Sequence, residues 1–154
     1  MTDPFLAIVV GIAALTTAAA GGVYLGFSTM VMPALRGADP RDATGTMNRI
    51  NVFAVRSAFM VVFLGSALAS VVAVFAAFPG LPSTEAVLAI VGGVLGVAAF
   101  LVTAAVNVPL NNRLAADRDG AGYAAFERRW SRANTARGTL SLLGAVSFIG
   151  ALVA

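Results

Sequence analysis

Cysteine, histidine and lysine are all absent from this chain of 154 residues, and charged side chains make up only 11% of it. Without cysteine there is no disulfide framework and no thiolate nucleophile. Without histidine as well, the usual ligands of zinc, haem and non-haem iron are missing, and so are the Ser-His-Asp and Cys-His constellations. The missing lysine removes Schiff-base chemistry. What charge remains is 7 acidic groups against 10 cations, every cation an arginine. Apolar residues reach 59%, whereas an ordinary soluble domain is about half apolar and about a quarter charged. A globule of this length still leaves about 30% of its unfolded surface in water, so it cannot hide that excess. A soluble monomer and a disordered chain are excluded, and an integral membrane protein is left. The net charge of +3 is too small to point to nucleic acid; the placement of the arginines serves topology instead.

A spanning helix needs roughly 20 apolar residues. Four stretches supply them, at about 5–35, 52–78, 84–110 and 138–154, which predicts one all-α transmembrane domain over residues 1–154, a four-helix bundle. Asp3-Pro4 opens the first span as an N-cap with proline at the first helical position. Phe78-Pro79-Gly80-Leu81-Pro82-Ser83 joins the second and third spans through a tight loop, with Glu85 in the following first turn. The N-terminus lacks the basic segment of a cleavable signal peptide, so the first helix is expected to be retained. Arg36, Arg41, Arg49 and Arg56 lie between or beside the first two spans, and Arg113, Arg118, Arg128, Arg129, Arg132 and Arg137 between or beside the last two. The positive-inside rule puts both groups in the cytoplasm and both termini outside, as for a multi-pass protein of a cell membrane such as the bacterial inner membrane. Gly22 and Gly26, Gly92 and Gly96, and Gly65 with Ala69 are small-xxx-small pairs that admit close helix packing or self-association into a homo-oligomer.

Residues 122–137 show a helical pattern with Tyr123, Phe126 and Trp130 on one face and Arg128, Arg129 and Arg132 around the rest. This predicts a cytoplasmic interfacial helix before the fourth span, its aromatics in the headgroup layer. Polar side chains gather at the same depth on all four spans: Tyr24, Ser28 and Thr29 from the first, Asn48, Asn51 and Arg56 at the second, Asn107 and Asn111 at the third, Trp130, Asn134 and Arg137 at the fourth. Arg56 reads as lying one turn inside its span, where an arginine costs ~2.5–3.5 kcal/mol. Amides facing lipid would be unpaired, so these groups are expected to turn inward around a shared pocket. Interhelical hydrogen bonding for Asn107 and Asn111, and snorkelling for Arg56, are the plainer alternatives.

The runs Val31-Met32-Pro33-Ala34-Leu35-Arg36, Met47-Asn48-Arg49-Ile50-Asn51, Asn107-Val108-Pro109-Leu110-Asn111 and Trp130…Asn134…Arg137 resemble the anthrone-oxygenase-like family of small four-helix membrane proteins, over nearly the whole chain. The resemblance implies oxidation of an anthrone to an anthraquinone by molecular oxygen, with no metal and no other cofactor. The family motif falls on Asn48, Asn51, Asn107, Pro109, Asn111, Trp130, Asn134 and Arg137. Thr135 and Ala133 depart from it: many members have a histidine and an aromatic there, and the histidine is the evident general base.

Three functions follow. The first is a cofactor-independent oxygenase, with Arg137, Asn107, Asn111 and Tyr24 as catalytic groups and Trp130, Asn134, Asn48, Asn51 and Arg56 binding a flat phenolic substrate whose enolate passes an electron to oxygen. The second is a non-catalytic module that binds a lipid, quinone or amphiphilic metabolite, or a subunit of a membrane assembly. The third, a transporter or channel, is disfavoured because no carboxylate lies inside a span. The expected partners are the bilayer and a lipophilic small molecule.

Overall fold

The computed structural model describes residues 3–154, and among these there are helices and no strand. Five helices form: α1 (Pro4–Arg36), α2 (Pro40–Ala54), α3 (Phe59–Ala77), α4 (Thr84–Ala116) and α5 (Tyr123–Val153). Four of them are long and apolar enough to cross a membrane. At 1.5 Å per residue, α1 and α4 with 33 residues and α5 with 31 are roughly 50 Å long, well beyond the roughly 30 Å hydrocarbon layer. Helix α3, with 19 residues, just matches that layer. The arginine-bearing ends of α1, α4 and α5 therefore project past α3, and α2 fills the vacant corner.

The long helices pack in the cyclic order α1, α3, α4, α5, each against two neighbours. Asp3, Asp39 and Ser83 cap the starts of α1, α2 and α4 by accepting from the backbone N–H groups of Phe5, Arg41 and Ala86. Exposed Phe5, Ile8, Ile12, Leu15, Val61, Leu64, Leu68 and Phe75 form an apolar outer belt. Inside, the half remote from the arginines is mostly alanine, with Leu6 and Val10 and a single aromatic ring, Phe148. Alanine and glycine let the backbones approach closely: a Cβ on Gly92 would collide with the Phe148 ring and the Gly144 carbonyl, and one on Gly96 with Ser70. The Gly92–Gly96 face is thus used within the chain, while Gly22 and Gly65 have open space beside them.

Two features depart from the expected pattern. Helix α3 begins at Phe59, not near residue 52, because the chain breaks at residues 55–58. The Ser57 hydroxyl donates to the Ala54 carbonyl at 2.9 Å and accepts from the Phe59 N–H at 3.2 Å, closing one helix and opening the next. The arginine-rich segment before the fourth span is one continuous rod with it, in α5. Its aromatics are not displayed on the outside: Tyr123, Phe126 and Trp130 are buried with Met32, Met47, Leu110 and Leu114 in a second core.

Both α1 and α4 widen into a single π turn, Phe27–Val31 and Thr103–Asn107. Each precedes a proline by a few residues, Pro33 and Pro109. Proline offers no N–H to the carbonyl four residues back and its ring crowds it, and a residue inserted in the preceding turn relieves that conflict. The turns close through the Met32 N–H to the Phe27 carbonyl and the Val108 N–H to the Thr103 carbonyl.

Replacing Phe148 by alanine is expected to cost about 3–5 kcal/mol, since the alanine-rich surroundings cannot collapse into the hole. Gly65→Ala should stay within about 0.5 kcal/mol. Reversible unfolding in detergent followed by circular dichroism measures both.

Candidate functional site

The two π turns lie on diagonally opposed helices, with α5 between them, and the break before α3 leaves the fourth side open. The result is a cavity of about 620 Å³. Its walls are mostly apolar and aromatic: Phe27 from α1, Phe53 from α2, Phe59 and Phe63 from α3, and Trp130 from α5. Ring centroids lie 5.6 Å apart for Phe27 and Trp130, 6.1 Å for Tyr24 and Phe59, and 6.0 Å for Phe59 and Phe63, so the walls are themselves a packed set. Polar groups reach it at a few points, from Tyr24, Thr103, Asn111, Asn51 and Arg137, and from Thr46, Arg49 and Ser57 on the side of α2 and the break.

Arg137 dominates these points. Only 7% of it is exposed. Its Nε and Nη2 donate to the Asn134 Oδ1 at 3.1 and 2.8 Å, and its Nη1 donates to the Thr103 hydroxyl at 3.1 Å. The guanidinium carbon sits 4.1 Å from the centre of the Tyr24 ring and 5.4 Å from that of Trp130, a cation–π seat on two faces. No carboxylate pairs with it among the described residues, and none lines the cavity. A guanidinium has five N–H donors, of which these bonds use three. Taking a cation out of water costs several kcal/mol even after relaxation; amide oxygens and ring faces offset only part of this. The remaining positive field points at the cavity.

Asn134, fully buried, holds this arrangement together. While its oxygen carries Arg137, its Nδ2 donates to the Tyr24 carbonyl at 2.8 Å and to the Ser28 hydroxyl at 2.8 Å. Those acceptors lie at the entry to the α1 π turn, where the backbone hydrogen-bond ladder changes register. On the α4 side, the Trp130 Nε1 donates to the Asn111 Oδ1 at 2.8 Å, which leaves the Asn111 amino group free. The Asn107 Nδ2 donates to the Trp130 carbonyl at 3.4 Å, and its Oδ1 has no partner.

The expected residues therefore sort into three groups. Arg137, Tyr24, Asn111, Asn51 and Trp130 share the cavity, and the Asn51 Nδ2 is buried without a partner. Asn107, Asn134 and Asn48 stand behind the wall: Asn48 ties α2 to α4 through its Nδ2 and the Leu114 carbonyl at 3.3 Å. Arg56 is neither one turn inside a span nor at the cavity; it is exposed in the break between α2 and α3. Thr135, one of the two departures from the family pattern, is exposed and shares a 3.2 Å hydrogen bond with Ser28. It does not line the cavity, so threonine there takes no group from the walls. Sequence reasoning passed over Phe27, Phe59, Phe63 and Thr103. The i, i+4 spacing of Phe59 and Phe63, and a threonine six residues before a proline within an apolar run, were the available signals.

A family model described as anthrone oxygenase matches residues 51–147. No curated protein and no solved structure matches. The matched stretch takes in the α2–α3 break, the π turn of α4 and the whole Trp130–Arg137 face.

Asn134→Leu, of nearly the same volume, should destabilise the fold by about 3 kcal/mol or more, because it strands a buried guanidinium and a backbone carbonyl together. Arg56→Gln should leave stability within about 0.5 kcal/mol. Melting temperatures of the two purified variants in one detergent provide the comparison.

Proposed function

The chain belongs to the anthrone oxygenase family, and from that premise we propose that it is a membrane-embedded oxygenase that needs no cofactor and acts on a flat, lipophilic phenolic or anthrone-like molecule. The observation that carries this reading is the buried Arg137, which lacks a carboxylate partner among the described residues and faces an aromatic-walled cavity. A substrate that ionises in this cavity supplies the missing counter-ion.

Arg137 pairs with the enolate oxygen through its two uncommitted N–H groups, and the Asn111 amino group donates to the same oxygen or a neighbouring one. Trp130 and Tyr24 hold the rings between faces. Fixed donors in a water-poor site stabilise developing negative charge strongly, because they need no reorganisation. The enolate then gives an electron to oxygen, and the radical pair combines at the former methylene carbon as a peroxide anion. Taking a proton back gives the hydroperoxide, which loses its remaining C–H proton as the O–O bond breaks and water leaves. The methylene becomes a carbonyl; one atom of the oxygen molecule stays in the product and the other departs as water. With no imidazole or carboxylate on the walls, the first proton leaves the substrate through water or through Tyr24, helped by the stabilised anion.

The arginine-rich end is assigned to the cytoplasm by the positive-inside rule. The same lack of a wall-mounted base supports a second reading, in which the cavity stores an anionic quinone-like or amphiphilic molecule without transforming it.

Arg137→Met should reduce anthrone-dependent oxygen uptake at least about 10²-fold, the scale of losing an oxyanion donor, with the helical content retained. Undiminished uptake would reject the mechanism, and wild-type protein that binds anthrone yet consumes no oxygen would favour storage.

Because the substrate carries the titrating proton, the rate should rise with pH until the bound substrate is ionised and then level off. A more acidic anthrone should move that plateau to lower pH. A plateau fixed across substrates would instead point to a protein base.

A further inference from the structure

A second concave surface, separate from the aromatic cavity, lies at the arginine-bearing end. It is a cleft of about 910 Å³ between the α1–α2 turn, the loop before α5 and the first turns of α5. We propose that it is a binding site for a phosphate ester, either the headgroup of an anionic phospholipid or a soluble phosphomonoester.

The cleft is built by specific local structure. In the loop, the Asp117 carboxylate accepts from the Gly120 N–H at 3.1 Å and from the Gly122 N–H at 2.9 Å. Gly120 has φ +74°, and a Cβ there would strike the backbone of Pro40 and Arg41. Only glycine both adopts this conformation readily and lets the loop lie directly on the start of α2. Three sequence-remote segments are thereby fixed around one hollow.

Its charges are unevenly satisfied. Arg36, Arg41, Arg128 and Arg132 face Asp39, Asp119 and Glu127. Glu127 is occupied: it accepts from the Arg36 Nε at 3.2 Å and Nη2 at 2.5 Å, and from the Ser131 hydroxyl at 3.3 Å. The Asp39 carboxylate caps α2 through the Arg41 N–H at 2.9 Å. Arg41, Arg128 and Arg132 are left without ion pairs among the described residues. An independent observation comes from Tyr123: it is 4% exposed, lines the same cleft, and its hydroxyl has no hydrogen-bond partner. Three guanidiniums that line one cleft from two helices, with an unused hydroxyl in its wall, supply more donors than the two oxygens of a carboxylate accept, and a phosphate has the additional oxygens to take them. Basic pockets at helix ends are where anionic headgroups dock.

The test uses the full chain in mixed phosphatidylcholine and phosphatidylglycerol micelles, with retained lipid counted by native mass spectrometry. The wild type should keep phosphatidylglycerol preferentially, and R128Q/R132Q should lose that preference roughly thirty-fold. R113Q/R118Q removes equal charge outside the cleft and should behave as wild type. Equal losses in both pairs, or none in R128Q/R132Q, would overturn the site. If R128Q/R132Q does not fold by circular dichroism, Tyr123→Phe decides: several-fold weaker retention upholds the site, and unchanged retention removes it. Displacement by glycerol phosphate identifies a soluble ester as the occupant, and resistance to it identifies the lipid.

Discussion

Arg137 is held by an amide where a carboxylate would have been the cheaper partner, and much of the surrounding structure follows from that choice. A carboxylate in place of Asn134 would neutralise the guanidinium and close the site electrostatically. It would also set a negative oxygen against the Tyr24 carbonyl, where the Asn134 Nδ2 now donates at 2.8 Å. The neutral amide serves both sides: its oxygen binds the cation and its amino group repairs the backbone of α1. The arginine keeps its charge, and the cavity keeps a field that attracts an anion.

The same group links chemistry to helix geometry. Pro33 and Pro109 each force their helix to find one more residue in the preceding turn, and the π turns that result place Tyr24 and Ser28, and Thr103 and Asn107, around α5. Of the residues that meet Arg137, Thr103 opens the π turn of α4 and Tyr24 stands in the helical turn just before that of α1, while Asn134 and Trp130 belong to the regular helix α5. Because α3 is about two-fifths shorter than α1, α4 and α5, the fourth side of the chamber is made by α2 and the break at residues 55–58. This gives the cavity a different character from the far half of the bundle, where alanine and glycine bring the backbones close and Phe148 is the one ring in the core.

Some of this arrangement was legible in order along the chain. Apolar runs of about twenty residues and the clustering of arginine gave the spans and the end at which polar groups gather. The Asn107-Val108-Pro109-Leu110-Asn111 run and the spacing of Trp130, Asn134 and Arg137 marked the site's residue types. Their division of labour was not legible, because a one-turn shift decides whether an asparagine faces the chamber or stands behind it. Asn107 and Asn111 share a helix face, yet only Asn111 reaches the lining; the π turn ends between them. Arg56 was misplaced for a similar reason: hydropathy averages over a window, and a break closed by one serine hydroxyl does not lower it.

The sequence by itself determined how many helices are long and apolar enough to cross a membrane and which reactive side chains are missing, because these depend on sums over composition and run length. Only the tertiary structure decided that Tyr123, Phe126 and Trp130 are packed in a core and not displayed on the outside, that Asn134 stands behind the wall while Arg137 reaches the cavity, and that aromatic rings far apart in sequence wall one chamber. Those outcomes rest on helix phase and on the proline-driven insertion of single residues, quantities that change which way a side chain points without changing its composition.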